Sequence, residues 1–185
     1  NQPMNQAQGD KNKPHIALID INGVIDQKAT VNAATVIESL DEAFKTKAVQ
    51  GVILQINSPG GSPVQAALIF DEILRLRKLH QKIKVYAVCD DLCASAAYYI
   101  ACACDKIYAN RLSLVGSIGV IMEGFGFTDT LHKVGAERRL FTAGDRKAFL
   151  DPFSPINPMD ASHVKQMLAL VHQQFIHDVM QGRGN

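Results

Sequence analysis

The chain has 185 residues, 47% of them hydrophobic and 20% charged, enough for one domain with a substantial core and short for two. Its 19 basic and 18 acidic side chains leave a formal net charge of +1, so no global field favours nucleic acid or an anionic membrane surface. Asp90, Asp91 and Asp105 bracket the longest apolar stretch, Leu92 to Cys104, and no window approaches the roughly 18 apolar residues of a membrane-spanning helix.

The opening stretch, 1–13, is polar and has too few apolar groups to offset ordering entropy, so an unfolded or linker segment is expected there, with residues 14–185 as one domain. "HIALIDINGVI", His15 to Ile25, reads as a buried strand closed by the Asn22-Gly23 turn. Asn32 to Lys47 places Ala33, Val36, Ile37, Leu40, Ala43 and Phe44 on one helical face. "GVILQI", Gly51 to Ile56, is a second strand, broken by "NSPGGSP", and Pro63 to Leu79 is a helix with proline at a tolerated early position. "IKVYAV", Ile83 to Val88, is a third strand, followed by "CDDLCAS" as a loop into a helix beginning near Ser95.

Lys106 to Ala109 and Ser117 to Met122 read as short strands, Thr128 to Val134 as a helix and Glu137 to Thr142 as extended chain. Asp160 to Gln181 is a long amphipathic helix expected to turn Val164, Met167, Leu168, Val171, Phe175, Ile176 and Val179 inward. Strands apolar on both faces, alternating with helices, predict an α/β fold with a mostly parallel sheet covered by helices. Function in such sheets gathers at loops beyond the carboxyl ends of the strands. Two loops there are unusual, "NSPGGS" after the second strand and "CDDLCAS" after the third.

Cys89, Cys93, Cys102 and Cys104 are the chain's four cysteines. C-x-x-x-C followed by C-x-C fits none of the usual zinc spacings, so they are expected to be buried, reduced thiols that pack as small hydrophobes. H-E-x-x-H is absent, and neither a metal nor a cofactor is expected.

In "NSPGGS", Gly60 and Gly61 permit positive φ and close approach to the backbone, and their N–H groups suit a developing oxyanion. A lone P-G-G is more often a plain turn before a helix. Ser95 follows a strand and opens a helix, as a nucleophile elbow does, with Ala94, Ala96 and Ala97 leaving space around it. G-x-S-x-G is absent, and serine among alanines is more commonly packing. A nucleophilic serine needs a base. The six histidines fall at element boundaries or on amphipathic helices, which suits surface positions. "TAGDRKAFLDPF" puts Lys147 ahead of Phe149, Leu150 and Phe153, and burial against such groups disfavours an ammonium and can supply a neutral amine. A solvated lysine in a basic loop is the ordinary alternative.

"INSPGGS", "ASAAYYIACACDKIYA", "VGSIGV" and "TAGDRKAFLDPFSP", in this order and at these separations, resemble the signal peptide peptidase A family of serine proteases from about Pro14 onward. The resemblance implies a ClpP/crotonase-like fold, a mostly parallel β-sheet with flanking helices in repeated β-β-α units. It makes Ser95 the nucleophile and Lys147 the general base of a Ser/Lys dyad, with Ser117 orienting the lysine. Gly60, Gly61 and Ala96 would supply or support the oxyanion hole, and Asp90 and Tyr98 match structural positions flanking the nucleophile.

The family usually reads S-G-G where this chain has Ser95-Ala96-Ala97, and it usually continues past "MQGRGN", so a C-terminal piece is expected to be missing. By resemblance the substrates are cleaved signal peptides or other unfolded apolar segments. The protein would be a homo-oligomer with sites completed across protomers, using no cofactor and no nucleic acid. It would be associated with the bacterial inner membrane through a segment absent from this chain, facing the periplasm or cell exterior, although four cysteines are unusual on that oxidising side and a cytoplasmic place stays open. A crotonase-type acyl-CoA enzyme, a viral capsid-maturation protease of the same family and an inactive scaffold homologue stay open as alternatives.

Overall fold

The computed structural model describes residues 13–184; all but the last residue of the expected linker, 1–13, lies outside them. In chain order the elements are β1 (His15–Asn22), α1 (Ala33–Lys45), β2 (Val49–Ser58), α2 (Pro63–Leu79), β3 (Lys84–Ala94), α3 (Ala96–Cys102), β4 (Lys106–Ala109), β5 (Leu114–Gly116), α4 (Thr128–Lys133) and α5 (Pro158–Arg183). The contacts divide the chain into two compact units. The first runs to Gly119 and resumes at Phe175, and the second is Val120–Gln174.

The first unit is built on a five-stranded sheet in the order β1-β2-β3-β4, with β5 beside β3 and every pairing parallel. Parallel strands need crossover connections, and α1 and α2 supply the first two. Asn32 caps α1 by accepting from Thr35 N–H while Thr35 reaches back to the Asn32 amide, and Ser62 caps α2 with Pro63 behind it. Fully buried Ile21, Leu54 and Val85 from the sheet meet Val36, Leu40, Ile69, Phe70 and Ile73 from the helices. This mixed α/β architecture, a mostly parallel sheet flanked by helices, is the one the resemblance implied.

β3 is longer than its sequence suggests, because "CDDLCA" continues the strand instead of forming a loop. Cys89 stands opposite Ile56 and Cys93 opposite Ser58, so Asp90, Asp91 and Leu92 together face the single residue Asn57 in a bulge. Beyond the bulge, Leu92 to Ala94 pair with Leu114 to Gly116 of β5. That pairing displaces the last expected strand upstream of Ser117–Met122. Gly116 at φ 120° and Ser117 at φ 57° end the extended chain just where β3 gives way to α3.

Glu137–Thr142, expected as extended chain, joins no ladder among the described residues, and Phe141 is 92% exposed. The inward face expected of α5 is mostly uncovered. Of the seven residues expected to face inward from α5, only Phe175 is buried, while Val171 and Ile176 are exposed, as are Leu170 and Met180 beside them. Phe175 lies on Tyr99 of α3, ring centroids 4.9 Å apart, and Tyr99 OH donates to buried Asp178.

All four cysteines are free and buried, as expected. Burial pushes the Cys102 thiol up to about 11. Burial also raises Cys104, and the hydrogen bond to Cys89 together with burial raises Cys93. The hydrogen bond from Cys93 lowers the Cys89 thiol, but at 3% exposure it too is shielded from reagent, so native protein should react with a disulfide reagent such as dithionitrobenzoate far more slowly than unfolded protein, which should release close to four equivalents at once. Rapid titration of native thiols would contradict this packing.

The lower edge of the sheet is held by Asp105. Its carboxylate accepts from Arg77 at 3.0 Å and from Val85 N–H at 2.9 Å, with Lys84 Nζ at 3.6 Å. Burial alone would raise this carboxyl, but the Val85 amide and the two cations outweigh it and hold it below the usual carboxylate range. A depressed carboxyl contributes stability above its unfolded value and loses that contribution as the pH falls through the folded value. Asp105→Asn should therefore cost about 1–3 kcal/mol in urea unfolding at neutral pH. The gap to wild type should begin to narrow as the pH falls below about 4 and close only below the depressed folded value.

Candidate functional site

Ser95 joins β3 to α3 with φ 54° and ψ −122°, a conformation that disfavours any side chain. It is fixed on both sides: Ser95 N–H donates to Gly116 O at 2.8 Å, and Ser95 O accepts from Tyr99 N–H at 2.9 Å. A serine at a helix start normally caps the helix with its hydroxyl. Here the hydroxyl makes no capping bond, because the left-handed backbone turns it away from the amides of α3. The side chain is half-buried.

The glycine loop is pressed against this turn. A Cβ on Gly60 would stand 2.7 Å from Ala94 O, 2.8 Å from Ala96 N and 2.8 Å from Ser95 Cβ, and Gly60 sits at φ 98°. A Cβ on Gly61, at φ 149°, would overlap the Ile25 carbonyl. Backbone bonds explain the closeness, since Ile25 N–H donates to Gly60 O at 2.9 Å and Ser62 N–H to Ile25 O at 2.8 Å.

The amides of the site differ in their freedom. Gly60 N–H donates to the buried Ser58 Oγ at 3.1 Å and is occupied. Gly61 is exposed, and its N–H meets no acceptor among the described residues. Ala96 is the first residue of α3, so its N–H has no acceptor within the helix. Of the three expected oxyanion donors, Gly61 and Ala96 are thus available and Gly60 acts as the close-packed spacer.

Ser117 follows Gly116, the residue paired with Ala94, so the strand ends that carry Ser95 and Ser117 lie side by side. Its side chain is exposed, with backbone φ 57°. Asp90 accepts from Gln55 Nε2 at 2.9 Å across the bulge, and Tyr98 is half-buried on α3. The sequence reading missed Ser58, whose only signal was its place beside Pro59 and the two glycines.

Lys147 belongs to the second unit, in a run of turns from Asp145 to Leu150. Arg146 anchors this run by pairing with buried Asp160 at the start of α5, and Phe149 meets His163 edge-on at 6.0 Å. Lys147 itself is exposed, which differs from the burial expected from its aromatic neighbours: Phe149 turns to His163 and Phe153 stacks on Phe127 at 5.6 Å.

Residues 77–185 match Peptidase family S49. The chain belongs to that family. The match takes in Ser95, Ser117 and Lys147 and begins after the glycine loop. Among curated relatives, a Brucella melitensis protein named Na(+)/H(+) antiporter NhaA is 42% identical over 88% of this chain but only 22% of its own length. Most of that protein lies outside the match. A candidate signal peptide peptidase, SppA, of Enterococcus faecium is 29% identical over 95% of this chain and 53% of its own. The chloroplastic serine protease SPPA of Arabidopsis thaliana is 28% identical over 88% of this chain and 25% of its own. The chain therefore spans between about a fifth and about a half of the length of these relatives.

Strain at Ser95 should be measurable as stability. Ser95→Gly should raise stability by about 1 kcal/mol, read by urea unfolding, because glycine tolerates positive φ. Gly60→Ala should lower stability by at least about 1–3 kcal/mol, since both its φ and its surroundings exclude a Cβ.

Proposed function

We propose that the chain is a Ser/Lys serine endopeptidase that hydrolyses extended apolar peptides, such as cleaved signal peptides, through an acyl-enzyme. The observation that carries the reading is the strained turn at Ser95, which withholds the hydroxyl from helix capping and leaves the residue half-buried next to the unbonded Ala96 amide, with the glycine loop packed on the turn. Membership of a peptidase family supports the reaction class.

In this mechanism the neutral Lys147 amine takes the Ser95 proton as Oγ attacks the substrate carbonyl. Gly61 and Ala96 N–H donate to the oxyanion, and the resulting ammonium protonates the leaving amine. Water then attacks the acyl-serine as the lysine accepts its proton, and the ester bond breaks as that proton passes to Ser95 Oγ and the acid product leaves. Ser117 holds the amine in orientation through its hydroxyl. The alanine at 96 leaves the donating N–H intact, because the side chain is not part of the oxyanion contact.

Labelling of the purified chain by a fluorophosphonate tests the nucleophile directly. Wild type should label, Ser95→Ala should not, and Lys147→Ala should label at least about a hundredfold more slowly, within the range a general base contributes. Mixing the two variants distinguishes a dyad within one protomer from one shared between copies, since only a shared dyad recovers labelling. Peptidase activity should climb on the alkaline side, as only the neutral amine accepts a proton. A profile breaking near about pH 6.5 would assign the base to a histidine instead.

A further inference from the structure

At the amino-terminal end of the sheet, away from Ser95, cations converge from separate parts of the chain. His15 N–H donates to Ala48 O at 3.1 Å, which sets Lys13 and the start of β1 beside Lys47. The turn from α2 into β3 closes with Ile83 N–H on His80 O at 2.9 Å and carries Lys78, Leu79, His80 and Lys82 to the same edge, with the His80 ring 5.2 Å from Phe44. Between them lies an open groove of about 630 Å³, lined by Lys47, Gln50, Leu79, His80, Lys82 and Ile83 among others.

Nearby carboxylates are engaged elsewhere: Asp41 pairs with Lys45 and Arg75, and Asp105 pairs with Arg77 and Lys84. Lys47, Lys78 and Lys82 are exposed and pair with no carboxylate among the described residues. Cations at helix carboxyl ends are ordinary complements of the helix dipole, and that accounts for Lys45, Arg77 and Lys78. It does not account for Lys13, Lys47 and Lys82, which lie outside helices. Leu79 stands among these lysines with 63% of its surface exposed.

We propose that this end of the first unit docks on an anionic phospholipid surface, with Lys47, Lys78 and Lys82 meeting headgroup phosphates and Leu79 entering the interface. An apolar side chain ringed by lysines fits a bilayer boundary, where charge and burial act together. Nucleic acid would use the lysines and leave Leu79 in water. Docking needs no spanning segment, and no helix among the described residues is long and apolar enough to cross a membrane. It is also independent of the proposed dyad, since β3 carries eleven residues between this edge and the Ser95 turn, on the order of 30 Å.

Co-sedimentation of the purified chain with vesicles tests the surface. Vesicles containing one part phosphatidylglycerol to three parts phosphatidylcholine should bind it, pure phosphatidylcholine should not, and binding should fall steeply as salt rises from about 0.05 to about 0.5 M. Each lysine near an anionic surface is worth about fivefold in affinity, so the triple variant Lys47→Glu, Lys78→Glu, Lys82→Glu should lose at least about a hundredfold. Leu79→Ser should weaken binding severalfold and leave its salt dependence unchanged. Circular dichroism checks that the variants stay folded, and fluorophosphonate labelling should be the same in all of them if the protease reading holds. Equal binding to both vesicle types, none to the anionic ones, or full binding by the triple variant overturns the proposal. Tighter binding to a short DNA duplex than to the anionic vesicles at equal salt overturns it too.

Discussion

A single close approach organises this molecule: Gly60 lies so near Ala94 O, Ala96 N and Ser95 Cβ that no side chain fits between them. The approach forces a glycine at 60, and the space is kept by bonds from three sides. β5 holds Ser95 through Gly116, α3 holds it through Tyr99, and the Ile25 segment holds the glycine loop through Gly60 and Ser62. A serine at positive φ costs free energy and persists only where its surroundings over-determine it. Here the surroundings are the carboxyl ends of the three longest strands and the helix that follows them.

The remainder of the first unit makes that arrangement rigid. Tyr99, one turn beyond Ser95, packs between Phe70 of α2 and Phe175 of α5 and donates to Asp178, so α3 is pinned by aromatic contact and by a buried hydrogen bond. Such a bond costs little while both partners are present and much when one is lost. The cysteines fill the space beneath as buried free thiols.

Most of the fold was legible because period and punctuation agreed. Asn32 and Pro63 marked helix starts, and apolar runs marked strands with boundaries close to those observed. β3 was misread because Asp90 and Asp91 look like loop residues, while the strand keeps its place by bulging them outward against Asn57. Ser117–Met122 was misread because composition favoured a strand but no partner continued beyond Ala94. For the site, the glycines and Ser95 could be suspected from sequence, yet the occupied amide of Gly60 and the role of Ser58 depend on a loop geometry that no periodicity encodes. The exposed side of α5 shows the converse limit: an amphipathic pattern states which face is apolar, not that this chain covers it.

The bulge has a consequence for how the sequence can change. A one-residue insertion between Lys84 and Cys89 would flip every later side chain across the sheet, because that part of β3 is locked to β2 and β4 at once. Within Asp90 to Leu92, three residues already stand against one, so length can vary as slack without rotating either half of the strand. The segment carrying Ser95 is registered separately, against β5 and Ser58. The sheet and the reactive turn are therefore joined by an expansion joint, across which the core can be remodelled without re-aiming the serine.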